Sequence, residues 1–249
     1  MTIDNAAAID LTAVVAPTAI VGNQFRSLLD GRQVSVERKA DIGARVWIGQ
    51  FTTVGQGVTI GQDSKIEDFV CVQPQSVIGS RVVVATRSYV GIGATVGDDS
   101  VIKGHIGDNA QVGARCRIAG DLIHRQLDPT IPWDDPAAEE PAPIVEDGAF
   151  VGWRAMIVGG IRIGAGAYVC AGALITKNVP AGCIARGQNQ IMNPSTWSGP
   201  LGKSPFFQGP HDPLADGRPN ADAWIGLRWR AIGGRVTGRK SREAASPAA

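Results

Sequence analysis

An aliphatic residue returns at every sixth position between residues 145 and 180: Val145, Val151, Ile157, Ile163, Val169 and Ile175. A small residue follows four positions behind most of them, at Ala149, Ala155, Ala167 and Ala173, and Gly152 and Gly164 stand directly behind two. Helices repeat their apolar face every 3.6 residues and strands every second residue, so a period of six suits neither. It suits a short strand followed by a tight turn, the aliphatic side chain pointing into a narrow prism and the small one filling the corner. Three such units make one triangular coil. Stacked coils form a parallel β-helix in which each rung covers its neighbour's apolar edge, with Gly or Asn supplying turn conformations that bulky residues resist.

The same period extends through most of the chain. A first run holds Ile9, Val15 and Val21, with Ala13 and Ala19 in the small positions and Pro17 at a corner. Residues 26–33 fit no repeat. The pattern resumes at Val36 and runs through Ile42, Ile48, Val54, Ile60, Ile66, Val72, Ile78, Val84, Val90, Val96 and Ile102, which predicts twelve units or four coils. Between Ile102 and Ile106 the spacing falls to four, so Lys103, Gly104 and His105 form a shortened turn with an exposed histidine; Val112 and Ile118 follow. A proline-rich, acidic interruption, the 123–144 loop, then leaves the rod and rejoins it, which favours a loop that folds over something. Beyond Pro180 a closing strand is expected within 181–190. The β-helix domain is therefore drawn as 1–190 and a C-terminal extension as 191–249. That extension is irregular, with a short helix over 221–236 carrying Trp224, Ile225, Leu227, Trp229 and Ile232. The bulkier corner residues Val46, Val58, Val70 and Val82 are expected on the faces of the rod, packed against other copies of the chain.

Composition narrows the functional classes. Thirty-two glycines in 249 residues accompany 44% hydrophobic content, which argues for glycine in turns rather than disorder. Formal net charge is +1 and no long basic block is present, so no nucleic-acid partner is expected. No apolar run approaches the roughly 20 residues of a spanning helix, so no membrane contact is expected either. The N-terminus carries Asp4 and Asp10 without a basic leader, which points to the cytoplasm. Cys71, Cys116, Cys170 and Cys183 are widely spaced and read as reduced structural thiols, three of them inside repeat units that want a small buried side chain.

Phe150, Val151 and Gly152, residues 157–164, and then Ala171, Gly172, Ala173, Thr176, Lys177, Asn178, Val179 and Pro180 resemble the closing coils of the hexapeptide-repeat acyltransferases. That superfamily includes maltose, galactoside and xenobiotic acetyltransferases and the nucleotide-amino-sugar N-acetyltransferases, and the sugar and nucleotide-amino-sugar members are the nearest. The resemblance implies an all-β, left-handed parallel β-helix assembled as a homotrimer, with acyl-coenzyme A lying in clefts between rods. It implies donor contacts at Trp153, Ala171, Thr176 and Lys177. Trp153 is bulky where the family has a small residue, and Gln188, Asn189 and Gln190 replace the usual Val-Pro-Ala after Gly187. Lysine beside a tight turn is also a good point-charge partner for phosphate, and Arg186 is a second candidate for that task.

Acyl transfer to an amine or hydroxyl needs a base for the acceptor's proton, and histidine suits neutral pH. His124 opens the loop, as the family's catalytic histidine does, and is the first candidate; His105 is the second, and His211 lies outside the repeats. The loop's Asp128, Trp133 and Asp134 are candidate acceptor contacts, the carboxylates for a cationic amine. The expected activity is acetyl-coenzyme A-dependent O- or N-acetyl transfer to a small acceptor, a sugar or nucleotide-linked amino sugar, with no metal. Two alternatives stay open: a non-catalytic scaffold, and a gamma-class carbonic anhydrase, which would need all three scattered histidines.

Overall fold

The computed structural model describes residues 2–3, 7–23, 39–125, 127, 130 and 141–196. Three sheets of nine, eight and ten strands form the sides of a prism; they are called A, B and C here. Each strand pairs in parallel with the one a full coil later: Cys71 with Tyr89 in sheet A, Val77 with Thr95 in B, Val83 with Val101 in C. This is the parallel β-helix that the six-residue period predicts. The aliphatic column from Ile42 to Ile175 is buried along the axis, the largest of these side chains being fully enclosed.

The corners are built differently from the expectation. Arg45, Phe51, Asp63, Phe69, Gln75, Arg81 and Arg87 adopt positive φ where glycine or asparagine was expected. The neighbouring coil holds them there. Phe69 donates its N–H to Gln50 O one coil back at 2.9 Å, Arg81 to Gln62 O at 2.9 Å and Arg87 to Asp68 O at 3.1 Å, so a turn-to-turn ladder offsets the steric cost of the left-handed conformation.

Val46, Val58, Val70 and Val82 do not lie on the rod faces: all four are at most 1% exposed, inside the corners. Space for a valine exists because the position one coil away carries a hydroxyl. Ser64 Oγ donates to Gly79 O at 2.8 Å and accepts the Val82 N–H at 3.0 Å. Thr52 repeats the arrangement with Glu67 O and the Val70 N–H, as does Ser100 with Gly113 O and the Cys116 N–H. Each hydroxyl thus satisfies a buried N–H that the corner would otherwise strand.

Two further findings concern the repeat. Val36 lies outside the described residues, and the place beneath Val54 in sheet A is filled by Val21. The shortened corner at Gly104 is followed one coil later by a second, Ile118 to Leu122, through Gly120. A Cβ on Gly104 would stand 1.9 Å from Gly120 O, and one on Gly120 would stand 2.3 Å from Ala155 O, so only glycine fits these stacked backbones.

At the far end Ile184–Arg186 pairs in parallel with Tyr168 and Val169, and Gln190–Met192 folds back antiparallel on it. A single 3-10 turn, Pro194–Thr196, follows. The expected helix over 221–236 and His211 lie outside the described residues. All four cysteines are free thiols, but only Cys116 is buried; Cys71 lies on the outer face of sheet A rather than in a core position.

Candidate functional site

Sheet A is bounded by two edges of the prism, and the candidate residues divide between them. His124, Thr176 and Lys177 stand where the chain leaves sheet A. Trp153, Ala171 and Arg186 stand where it enters. From Ala171 to Thr176 is five residues, at most roughly 17 Å of chain, so a ligand touching both groups must lie across the outer face of sheet A.

His124 follows the strand Asp121–Ile123. A Cβ on Gly107, one coil earlier, would come within 3.6 Å of His124 Nδ1, so the imidazole is seated against bare backbone. The stem of the loop is held from several sides. Arg125 donates its N–H to Pro141 O at 3.1 Å, and Gly159 donates to Ile123 O at 2.9 Å. Arg125 and Pro141 pack over Gly159 and Gly160, where a Cβ would meet Arg125 Cβ at 3.1 Å and Pro141 Cβ at 2.6 Å. Asp128, Trp133 and Asp134 lie outside the described residues.

Two coils further along the same edge, Asn189 clasps Thr176: its Oδ1 accepts the Thr176 N–H at 2.8 Å and its Nδ2 donates to Thr176 Oγ1 at 2.9 Å. Asn178 Oδ1 accepts the Arg162 N–H at 2.8 Å. Lys177 therefore sits exposed between two side chains that lock its turn. The residues replacing the family's Val-Pro-Ala acquire a reason here, since Asn189 closes the rod in the left-handed conformation at φ 54.

On the entry edge Trp153 is 60% exposed, and its carbonyl accepts the Gly172 N–H at 2.8 Å. A Cβ at Gly172 would meet nothing within 4 Å, which leaves a bare ledge beside the indole. Arg186 Nε donates to Gln190 Oε1 at 3.1 Å, so part of its guanidinium is already engaged.

Sequence reasoning missed the outer face between these edges. Tyr89, His105, Asp121, Met156 and Leu174 stand in register across consecutive strands. The Tyr89 and His105 rings stack with centroids 4.4 Å apart and planes within 4°, and the His105 backbone N–H donates to Asp121 Oδ1 at 3.2 Å. The signal was present: once two short corners trim the coil, these three residues recur at intervals of sixteen.

Two further charged groups are shaped by their surroundings. Arg162, 2.6 Å from Glu146, holds that carboxyl below the usual carboxylate range, and the Ala165 N–H adds to the effect. Burial lowers the Arg117 guanidinium. An open groove of about 440 Å³ on sheet B is lined by Thr95, Gln111, Ile144, Glu146 and Asp147, none of them a predicted site residue. Among the described residues no cluster of histidine, cysteine and carboxylate side chains is grouped to hold a metal, and no helix is long and apolar enough to cross a membrane.

Fold and edges define a hexapeptide-repeat prism, and comparison with known proteins agrees. Residues 144–177 match the family described as the hexapeptide repeat of succinyl-transferase. A 2,3,4,5-tetrahydropyridine-2,6-dicarboxylate N-acetyltransferase of Staphylococcus aureus is 37% identical over 81 residues, which is 32% of this chain and 28% of that protein. The chain thus spans under a third of the curated relatives it matches. Among solved structures, an acetyltransferase of Bacillus cereus is 21% identical, covering 63% of this chain and 78% of that one with a TM-score of 0.38. The Francisella novicida UDP-N-acetylglucosamine acyltransferase is 19% identical over 76% of this chain and 67% of its own, with a TM-score of 0.33. The chain thus carries hexapeptide repeats like those of the acyltransferases it matches.

Proposed function

We propose that this protein transfers an acyl group, in the first instance acetyl, from coenzyme A to an amine or hydroxyl of a small acceptor. The acceptor class is a sugar or nucleotide-linked amino sugar, and the working unit is a homotrimer. The observation that carries the reading is the placement of His124 on the same prism edge as the locked turn of Lys177. The two are separated by two rungs, or about 10 Å at the usual strand spacing.

In this reading Lys177 meets a phosphate of the donor, with Arg186 assisting from the opposite edge. Ala171, Thr176 and the ledge at Gly172 offer small surfaces to its pantetheine arm. Trp153 bounds the ledge. A ring nitrogen of neutral His124 takes the acceptor's proton as its nitrogen or oxygen attacks the thioester carbonyl; the carbon–sulfur bond then breaks, and the coenzyme leaves as thiolate and is protonated.

One observation favours a second candidate base. The His105 ring is held flat against Tyr89, which fixes its orientation on the outer face of sheet A, while the Asp121 carboxylate caps the His105 backbone N–H.

A thiol-release assay with acetyl-coenzyme A and a panel of amino and hydroxy acceptors tests the proposal. Acceptor-dependent thiol release is expected, and its absence across amine and hydroxyl acceptors contradicts the reading. Lys177→Ala is expected to weaken donor binding by about 1–2 kcal/mol with little change in turnover at saturation. Unchanged affinity by calorimetry would make the lysine an ordinary corner residue.

A further inference from the structure

In sheet A the residue after an inward aliphatic donates its N–H to the carbonyl of the next coil's aliphatic: Gly91 to Ile106 O at 2.7 Å, Gly107 to Leu122 O at 2.8 Å. Thr176 holds that place after Ile175, but Leu174–Ile175 is the last strand of sheet A among the described residues. Residues 187–189 take the place of the next rung. Leu174 donates its N–H to Gly187 O at 2.8 Å, and Asn189 donates its own to Leu174 O at 3.2 Å. The half-buried Asn189 side chain then supplies the carbonyl that a further coil would have offered, its Oδ1 accepting the Thr176 N–H at 2.8 Å.

That bond fixes which way the amide faces. A backbone N–H can only donate, so Oδ1 must be turned toward it and Nδ2 toward the Thr176 hydroxyl, 2.9 Å away. Nδ2 also can only donate, so it takes a lone pair of Oγ1 and leaves the hydroxyl's own proton to another acceptor. Among the described residues no acceptor takes it, and the side chain is exposed.

We infer that Asn189 is a positioning residue for the acyl donor: it makes Thr176 a hydrogen-bond donor toward the ligand, which meets it with an acceptor oxygen. In acetyl-coenzyme A that oxygen is an amide carbonyl of the pantetheine arm or a phosphate oxygen. The neighbouring Lys177 can likewise only donate, so the turn presents donors alone to an acceptor-rich part of the ligand. The inference rests on the acyl-transfer reading.

The test separates this role from a cap that merely closes the rod. Acetyl-coenzyme A affinity by calorimetry and thermal midpoints are measured for wild type, Thr176→Ser, Thr176→Val, Asn189→Asp and the double variant Thr176→Val/Asn189→Asp. An aspartate keeps an oxygen for the Thr176 N–H, but its second oxygen accepts, which draws the hydroxyl proton away from the ligand. Asn189→Asp is therefore expected to keep the wild-type midpoint and to weaken donor binding by about fivefold or more. Thr176→Val is expected to weaken it by about fivefold and Thr176→Ser by less than about twofold, with the double variant no worse than Asn189→Asp alone. Repulsion from the added negative charge would instead leave the hydroxyl's contribution intact, and the two losses would multiply; that outcome overturns the inference. Thr176→Val within about twofold of wild type overturns it too, whatever Asn189→Asp does to the fold. Asn189→Asp that binds like wild type makes the residue a cap only. Repeating the Thr176→Val comparison with S-acetylpantetheine, followed as kcat/KM by thiol release, identifies the oxygen: a loss that persists assigns the amide carbonyl, and one confined to acetyl-coenzyme A assigns a phosphate. Wild type that binds no acetyl-coenzyme A overturns the acyl-transfer reading and this inference together, whereas equal binding across the variants overturns this inference alone.

Discussion

One hydroxyl shows how closely single residues govern this rod. Ser64 Oγ both donates to Gly79 O and accepts the buried Val82 N–H. Ser64→Ala strands that N–H and is expected to cost about 1–3 kcal/mol in urea unfolding; a wild-type midpoint would mean that another acceptor reaches Val82. Cys116 illustrates a second residue-scale effect. Its buried thiol is pushed up to about 11, from an ordinary value of 9.0, by desolvation. The unfolded chain loses that proton first. The thiol's contribution to stability is therefore complete below about pH 9 and is lost as pH rises toward 11. Denaturation midpoints measured at pH 8 and pH 10.5 are expected to fall further apart in wild type than in Cys116→Ala; equal differences would show that the thiol is not desolvated as described.

At the scale of the element, the six-residue period located the rungs because every inward aliphatic must meet the same narrow axis. It did not reveal that Val21 fills the place below Val54, because the two are thirty-three residues apart with a break in the repeat between them. It also misjudged Val46, Val58, Val70 and Val82, because corner space depends on the residue one coil away, a contact distant in sequence. Of the candidate site, His124 and the Thr176–Lys177 turn were legible from the loop and the closing signature. The Tyr89, His105 and Asp121 column was not, because it becomes visible only when two short corners are counted into the coil. Those corners are strict. Gly120→Ala puts a Cβ within 2.3 Å of Ala155 O, backbone that cannot move without breaking the next rung. The substitution is expected to cost about 3 kcal/mol or more, read as a lower thermal midpoint. A midpoint unchanged from wild type would mean that the coils separate more easily than the stacking implies.

For the whole molecule, the case for assembly no longer rests on the corner valines, which are core. It rests on aromatic and aliphatic surface left outside the prism: Phe51 and Phe69, stacked 5.2 Å apart on one edge, with Trp47, Val77 and Ile92 also exposed. Light scattering at micromolar concentration is expected to give the mass of three chains, burying these residues between rods. A single-chain mass would contradict that and would leave each site to one rod. The central claim is that this rod deprotonates an acceptor with His124 and acylates it from coenzyme A. Its most direct test is kcat for wild type and His124→Ala across the titration range of histidine. The account predicts a loss of about a hundredfold or more in the variant with little change in donor affinity, and a wild-type rate that falls with decreasing pH as the ring takes up a proton. A variant within about threefold of wild type, with the same pH profile, would contradict it.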